Sequence, residues 1–179
     1  MAFIPKKKID ISYEQIDLIK FKNPEELIVF AKSHKIEIEP LDVVALCKIL
    51  NIMLLFAPMD DEISGLLNKD KKKKCWIMKI NSLHHPHRQR FTIAHEIAHF
   101  IKHSYQTSFF QDKTFFRNSD SNPLEREANQ FAAELLMPHD RFHRFVKEQS
   151  PNIKNIAEHF QVSSMAVQIR AKQLGYKGV

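Results

Sequence analysis

Residues Phe91 to Ile101 are apolar at helical spacing on several sides, yet the run carries His95, Glu96 and His99. Ala94, Ile97, Ala98 and Ile101 mark this helix for the interior, and a buried imidazole or carboxylate needs a partner there. The spacing supplies one. Residues four apart on an α-helix lie on the same face, so His95 and His99 can reach one Zn²⁺ at about 2.0–2.1 Å. Glu96 sits about 100° round the helix, where it can meet an activated water rather than the metal. The His95-Glu96-Ile97-Ala98-His99 pattern therefore offers a ligand pair and a general base. The alternative is a helix that carries two histidines by chance, with no partner for either.

Catalytic zinc normally takes three protein ligands and keeps a fourth position for water, so a third ligand is sought downstream. From Pro123 to Leu136, residues Leu124, Ala128, Phe131, Ala132, Leu135 and Leu136 form an apolar stripe that packs inward. Glu125 and Asn129 flank one side, one turn apart, and Glu127 and Glu134 flank the other. Glu125 is the better ligand candidate, because Asn129 can hydrogen-bond a ligating histidine and fix its ring. Glu127 has Phe131 in that place. The competing role for Glu125 is local: Asn122 can cap this helix with Glu125 closing a capping box.

Composition removes other chemistries. Only three glycines, Gly65, Gly175 and Gly178, stand in 179 residues, too few and too far apart for a glycine-rich phosphate cradle. Cys47 and Cys75 have no Cys-x-x-Cys spacing, and a reducing compartment is the simpler reading. The N-terminal residues lack the apolar core of a signal peptide, and no uncharged apolar stretch approaches membrane-spanning length. A cytoplasmic protein is expected. The net charge of +6 permits an acidic partner without requiring one. Part of it lies in Lys6 to Lys8 and Lys71 to Lys74, which read as solvated tail and turn.

Along the chain, a short helix opens at Asn23-Pro24 and a second begins near Pro40, before extended chain at Ile52 to Phe56. Ile63 to Leu67 and Cys75 to Ile80 flank the lysine run as a hairpin, in a small sheet of about three strands. Residues 81–90 read as a polar loop, and 104–122 as a long irregular loop able to gate a cleft. The helix from Pro123 ends at Met137-Pro138. The expected organisation is a mixed α+β chain: an N-terminal segment (1–22), a core (23–150) and a helical C-terminal region (151–179) packed on the core.

The segments Arg90 to His99 and Glu125 to Pro138 closely resemble the ImmA/IrrE family of metallopeptidases. Both blocks in this order are far more specific than the His-Glu-x-x-His pattern alone, and the resemblance extends loosely over residues 25–175. It implies a small zincin-like, gluzincin-type protease domain in which His95, His99 and Glu125 bind zinc, Glu96 is the base and Asn129 supports the site. It also implies an intracellular protease that cuts a DNA-binding repressor, often encoded nearby on a mobile element or in a stress regulon. Tyr105, His103, Arg141, His139 and His143 are candidates by type for stabilising the developing oxyanion. His103, one turn past His99, is read as a surface or supporting residue rather than a ligand.

Ile153 to Gly175 reads as two helices, the second capped by Ser163 and ended by Gly175. The pattern resembles a helix-turn-helix in which Ser164, Gln168, Arg170 and Lys172 face a major groove, although a packed hairpin produces the same pattern. Docking of a protein partner is the preferred reading. Two rivals remain: a regulator that binds DNA or a transcription factor through these helices around a structural or sensory metal, and a toxin–antitoxin component.

Overall fold

The structure, a computed structural model, describes residues 21–70, 72, 75–113 and 122–176. The expected N-terminal segment up to residue 20, the Lys6 to Lys8 run and most of the Lys71 to Lys74 run lie outside the described residues.

Side-chain caps start the first helices where the sequence places them. Asn23 accepts from the Glu26 N–H at 3.0 Å, and Pro24 occupies the first turn of α1 (Pro24–Ser33). Asp42 accepts from the N–H groups of Val44 and Ala45 to open α2 (Val43–Ile49). Asn51, left-handed at φ 57°, then turns the chain into β1 (Ile52–Ala57). A hairpin of β2 (Ile63–Asp70) and β3 (Cys75–Asn81) follows, with Leu67 opposite Met78. Strand β1 pairs parallel to β3.

The sheet is larger than expected. A fourth strand, β4 (Phe109–Lys113), pairs antiparallel with β2 and gives the order β1-β3-β2-β4. It occupies part of the segment read as irregular loop; residues 114–121 of that loop lie outside the described residues. Five residues set among Ser, Thr and Asn carry too short an alternation to register as a strand. Pairing with β2 and the burial of Phe110 between exposed Phe109 and Gln111 supply what the local pattern lacked.

One face of the sheet packs on α3 (Pro86–His103), which begins well before the expected Phe91. His85 caps it and Pro86 holds the first turn, so the polar loop between β3 and α3 is only a few residues long. This first turn is solvated, and its side chains carry no apolar period. Trp76, Met78 and Ile80 are buried along β3, and Trp76 meets Phe100 of α3 edge to face at 5.7 Å.

Helix α4 (Pro123–Leu136) packs extensively against α3. Ala94 and Ala98 on α3 and Ala128 and Ala132 on α4 are fully buried, and such small side chains let helix backbones approach closely. An unforeseen helix, α5 (His139–Glu148), follows directly, carrying buried Phe142 with Phe145 and Val146 at its i+3 and i+4 positions.

Helices α6 (Ile153–Phe160) and α7 (Ser164–Gln173) form the expected C-terminal pair, with Ser163 capping α7 and Gly175 at φ 81° after it. Phe142 stacks on Phe160 at 6.1 Å, and Phe145 on His159 at 4.2 Å. Glu39 joins Arg144 at 2.7 Å, His159 at 3.1 Å and Arg141 at 3.7 Å, tying the segment before α2 to α5 and α6. Of the residues read as groove-facing on α7, Ser164, Gln168 and Lys172 are exposed and Arg170 is not. It is buried, its Nε donates to the Met137 carbonyl at 3.0 Å, and it therefore closes the end of α4. Among the described residues no helix is long and apolar enough to cross a membrane.

Candidate metal centre

The contact of α3 with α4 brings His95, His99 and Glu125 together. His95 Nε2 lies 3.0 Å from His99 Nε2, and Glu125 approaches these atoms with Oε2 at 3.1 Å and Oε1 at 3.4 Å respectively. One ligand atom from each residue lies within 4.8 Å of the others. Both imidazoles are buried, and the Glu125 side chain is 29% exposed, so the cluster opens on the carboxylate side.

Helix α4 starts in a way that leaves Glu125 available. Asn122 caps through the Leu124 N–H at 3.0 Å, with Pro123 in the first turn, while the Glu125 carboxylate turns to the two histidines. One turn on, Asn129 Oδ1 sits 2.9 Å from His95 Nδ1. A carbonyl oxygen only accepts, so His95 Nδ1 carries a proton, and in the neutral ring Nε2 presents a lone pair.

His99 is held differently. Its Nδ1 lies 2.9 Å from His103 Nδ1, and His103 Nε2 lies 3.2 Å from Glu127 Oε2. Lys102 Nζ reaches the other Glu127 oxygen at 3.2 Å. The Phe110 ring stacks on His99 at 4.6 Å. Reading along the chain places His103 in a supporting role but pairs it with nothing, since its partner comes from another helix.

Burial would push the Glu125 carboxyl up, but the two imidazoles beside it hold the group well below the usual carboxylate range, so it is ionised. Burial pushes the His99 imidazole down, against the raising effect of Glu125. His103 is likewise lowered by burial, against Glu127. A second proton on His99 or His103 is thus disfavoured. With both Nδ1 atoms engaged, two imidazole lone pairs and a carboxylate converge on one point. A metal cation fits that donor set, and two nitrogens with one carboxylate suit zinc.

Glu96 is fully buried on the side of α3 that meets β2. The strand comes so close at Gly65 that a Cβ there would stand 2.7 Å from Thr92 Cγ2 and 2.9 Å from Glu96 Oε1. Gly65 borders the candidate base, and reading the sequence missed it. The shortage of glycines was visible, but not which one a buried carboxylate rests against. Arg88 Nη2 donates to Ser64 Oγ at 3.1 Å and fastens the strand beside it.

Several candidates by type are engaged elsewhere. Arg141 bonds the Ile38 carbonyl and pairs with Glu39. His143 Nδ1 meets the Tyr176 hydroxyl at 2.7 Å, and His139 pairs with Asp140. Tyr105 is 81% exposed and accepts from Gln106.

Comparison with known proteins covers this whole constellation. Residues 47–172 match the family model of the IrrE N-terminal-like domain. Metallopeptidase ImmA of Bacillus subtilis (strain 168) is 29% identical over 140 residues, which cover 75% of this chain and 77% of that protein. A Mycobacterium tuberculosis transcriptional regulator of known structure shares the fold, with a TM-score of 0.54 at 15% identity over 83% of this chain. The chain spans only 46% of that regulator's length.

Proposed function

Since the chain belongs to the ImmA/IrrE family of metallopeptidases, we propose that it is a zinc-dependent cytoplasmic endopeptidase that cleaves a regulatory protein, a DNA-binding repressor. The observation that carries this reading is the convergence of His95 Nε2, His99 Nε2 and the Glu125 carboxylate beside buried Glu96. His95, His99 and Glu125 would hold the ion, with Asn129 orienting His95. Zinc bound there would polarise the scissile carbonyl and bring the pKa of a water towards neutrality.

The remaining steps fall to the chain's own groups. Glu96 takes the proton of the attacking water and delivers it to the leaving amine nitrogen as the C–N bond breaks. Gly65, lacking a side chain, leaves room for that carboxylate, and the burial of Glu96 keeps bulk water from competing for the proton. Glu125 contributes negative charge on the exposed side of the cluster, leaving the approach to substrate there.

The repressor as substrate rests on the family. The inward-turned Arg170 supports docking of a protein partner over groove reading by α7, since one of the expected base-contacting side chains is committed to Met137. The test is incubation of the zinc-loaded protein with the repressor-like product of a neighbouring gene, followed by intact-mass analysis. We expect one or a few discrete cuts by the wild type and none by Glu96→Gln with zinc still bound. Equal cleavage by both would remove Glu96 as the base, and no cleavage by either would remove that substrate.

A further inference from the structure

We propose that His103 and Glu127 form a positioning relay that fixes the tautomer and ring orientation of His99, so that the zinc affinity of the site is set partly by a carboxylate that never touches the metal. This rests on the reading of His95, His99 and Glu125 as the metal site.

The proton order follows from the partners. An Nδ1-to-Nδ1 contact of 2.9 Å between two neutral imidazoles holds one proton, which belongs to one ring or the other. At the far side of His103, Nε2 faces the Glu127 carboxylate at 3.2 Å. A carboxylate only accepts, so His103 Nε2 carries that ring's hydrogen and His103 Nδ1 presents a lone pair. His99 Nδ1 must then donate, and its Nε2 is left unprotonated, facing His95 and Glu125. Reversing the direction of the relay would place a proton on His99 Nε2, the atom that ligation needs bare.

The geometry supports a dedicated device. His103 is 1% exposed, one turn beyond His99 on α3, where a solvated histidine would hold no fixed tautomer. Lys102 Nζ holds the other Glu127 oxygen at 3.2 Å and keeps the carboxylate aimed. Phe110 stacks on His99 and fixes the plane of the ring. Helix α4 thus orients both histidines from a single stretch, through Asn129 for His95 and through Glu127 by way of His103 for His99.

The test compares wild type, His103→Leu, Glu127→Ala, Glu127→Gln and Glu125→Ala. Zinc affinity is measured by competition with a chromophoric chelator at fixed pH. The His99 tautomer is read from ¹⁵N-edited NMR of the metal-free protein. We expect His103→Leu and Glu127→Ala to weaken zinc binding by about 10–100-fold and to shift His99 away from the Nδ1–H tautomer. Glu127→Gln, whose amide oxygen still accepts from His103, should stay near wild type. Should His103→Leu not fold, Glu127→Ala at the half-exposed end of the relay carries the test. Wild-type affinity and an unchanged tautomer in Glu127→Ala would overturn the relay. If wild type itself takes up no zinc while Glu127→Ala still shifts the His99 tautomer, the metal reading fails and the relay geometry stands. Loss of zinc in Glu125→Ala with none in Glu127→Ala or His103→Leu leaves the metal site standing and overturns the relay.

Discussion

Replacing Gly65 by alanine sets a methyl group 2.7 Å from Thr92 Cγ2 and 2.9 Å from Glu96 Oε1, where carbon atoms ordinarily rest at about 3.5–4.0 Å. The Glu96 carboxylate is the end of a flexible side chain and can swing away. Thr92 has less freedom: it is fully buried, β-branched, and its Oγ1 donates to the Arg88 carbonyl at 3.0 Å. Relief on that side therefore means losing the hydrogen bond or pushing β2 off α3. Overpacking of this kind costs about 1–3 kcal/mol, offset by about 0.5–1 kcal/mol because glycine is unfavourable within a strand. The net loss of roughly 0–2.5 kcal/mol corresponds to a Tm lowered by up to about 10 °C for a chain of this size. Thr92→Ser deletes the Cγ2 methyl and keeps the hydroxyl, so the double variant should recover about 1 kcal/mol relative to the sum of the single changes. The assay is thermal and urea unfolding of all four proteins at one zinc concentration, since bound metal stabilises by mass action. Additivity within about 0.5 kcal/mol, or a Gly65→Ala protein more stable than wild type, would refute the steric argument. Peptidase activity should remain impaired in the stable double variant, because serine does not relieve the contact with Glu96.

Three further outcomes are expected. Glu125→Ala should reduce zinc affinity by more than the roughly 10–100-fold of an outer-shell change, and by more than Glu127→Ala does; chelator competition showing the reverse order would sink the ligand assignment. Burial raises the Glu39 carboxyl, but hydrogen bonds with His159 and Arg144 and the charges of Arg144 and Arg141 lower it below its ordinary 4.5. A lowered folded-state value adds stability that is fully present above the unfolded value and is lost as pH falls through the folded one. Glu39→Gln should therefore cost about 0.5–1 kcal/mol at pH 7, and the gap in Tm should close as pH drops below about 4.5; a pH-independent gap would exclude the ion pairs as its source. Finally, burial pushes the Cys47 thiol up to about 12, and the side chain is 1% exposed. Iodoacetamide at pH 8 should label Cys47 only after denaturant is added, which peptide mapping would check.

The elements that reading the residues in order recovers are those with a local cause. Asn23-Pro24 and Ser163 announce helix starts through caps, and Met137-Pro138 announces an end, because those effects act within one turn. Strand β4 had no such announcement, and at the early start of α3 the signal, Pro86 in the first turn behind His85, stands in a polar stretch. Five residues at the sheet edge are held by pairing with β2, and the polar first turn of α3 shows no periodicity to detect. Arg170 was misplaced for a related reason: helical spacing says that a side chain lies on a face, but whether that face meets solvent depends on the helix packed against it.

The same division runs through the candidate site. The sequence alone puts His95 and His99 on one face of a buried helix, sets Glu96 round from them, and ranks Glu125 above Glu127 by its turn-mate Asn129. Those relations belong to single helices, whose 3.6-residue period is a property of the backbone. The closure of α4 on α3, the passage of β2 over Glu96 at Gly65, and the linkage of Glu127 through His103 to His99 belong to the tertiary structure. They join residues far apart in the chain, and only the packing of the core sets the distance and direction between them.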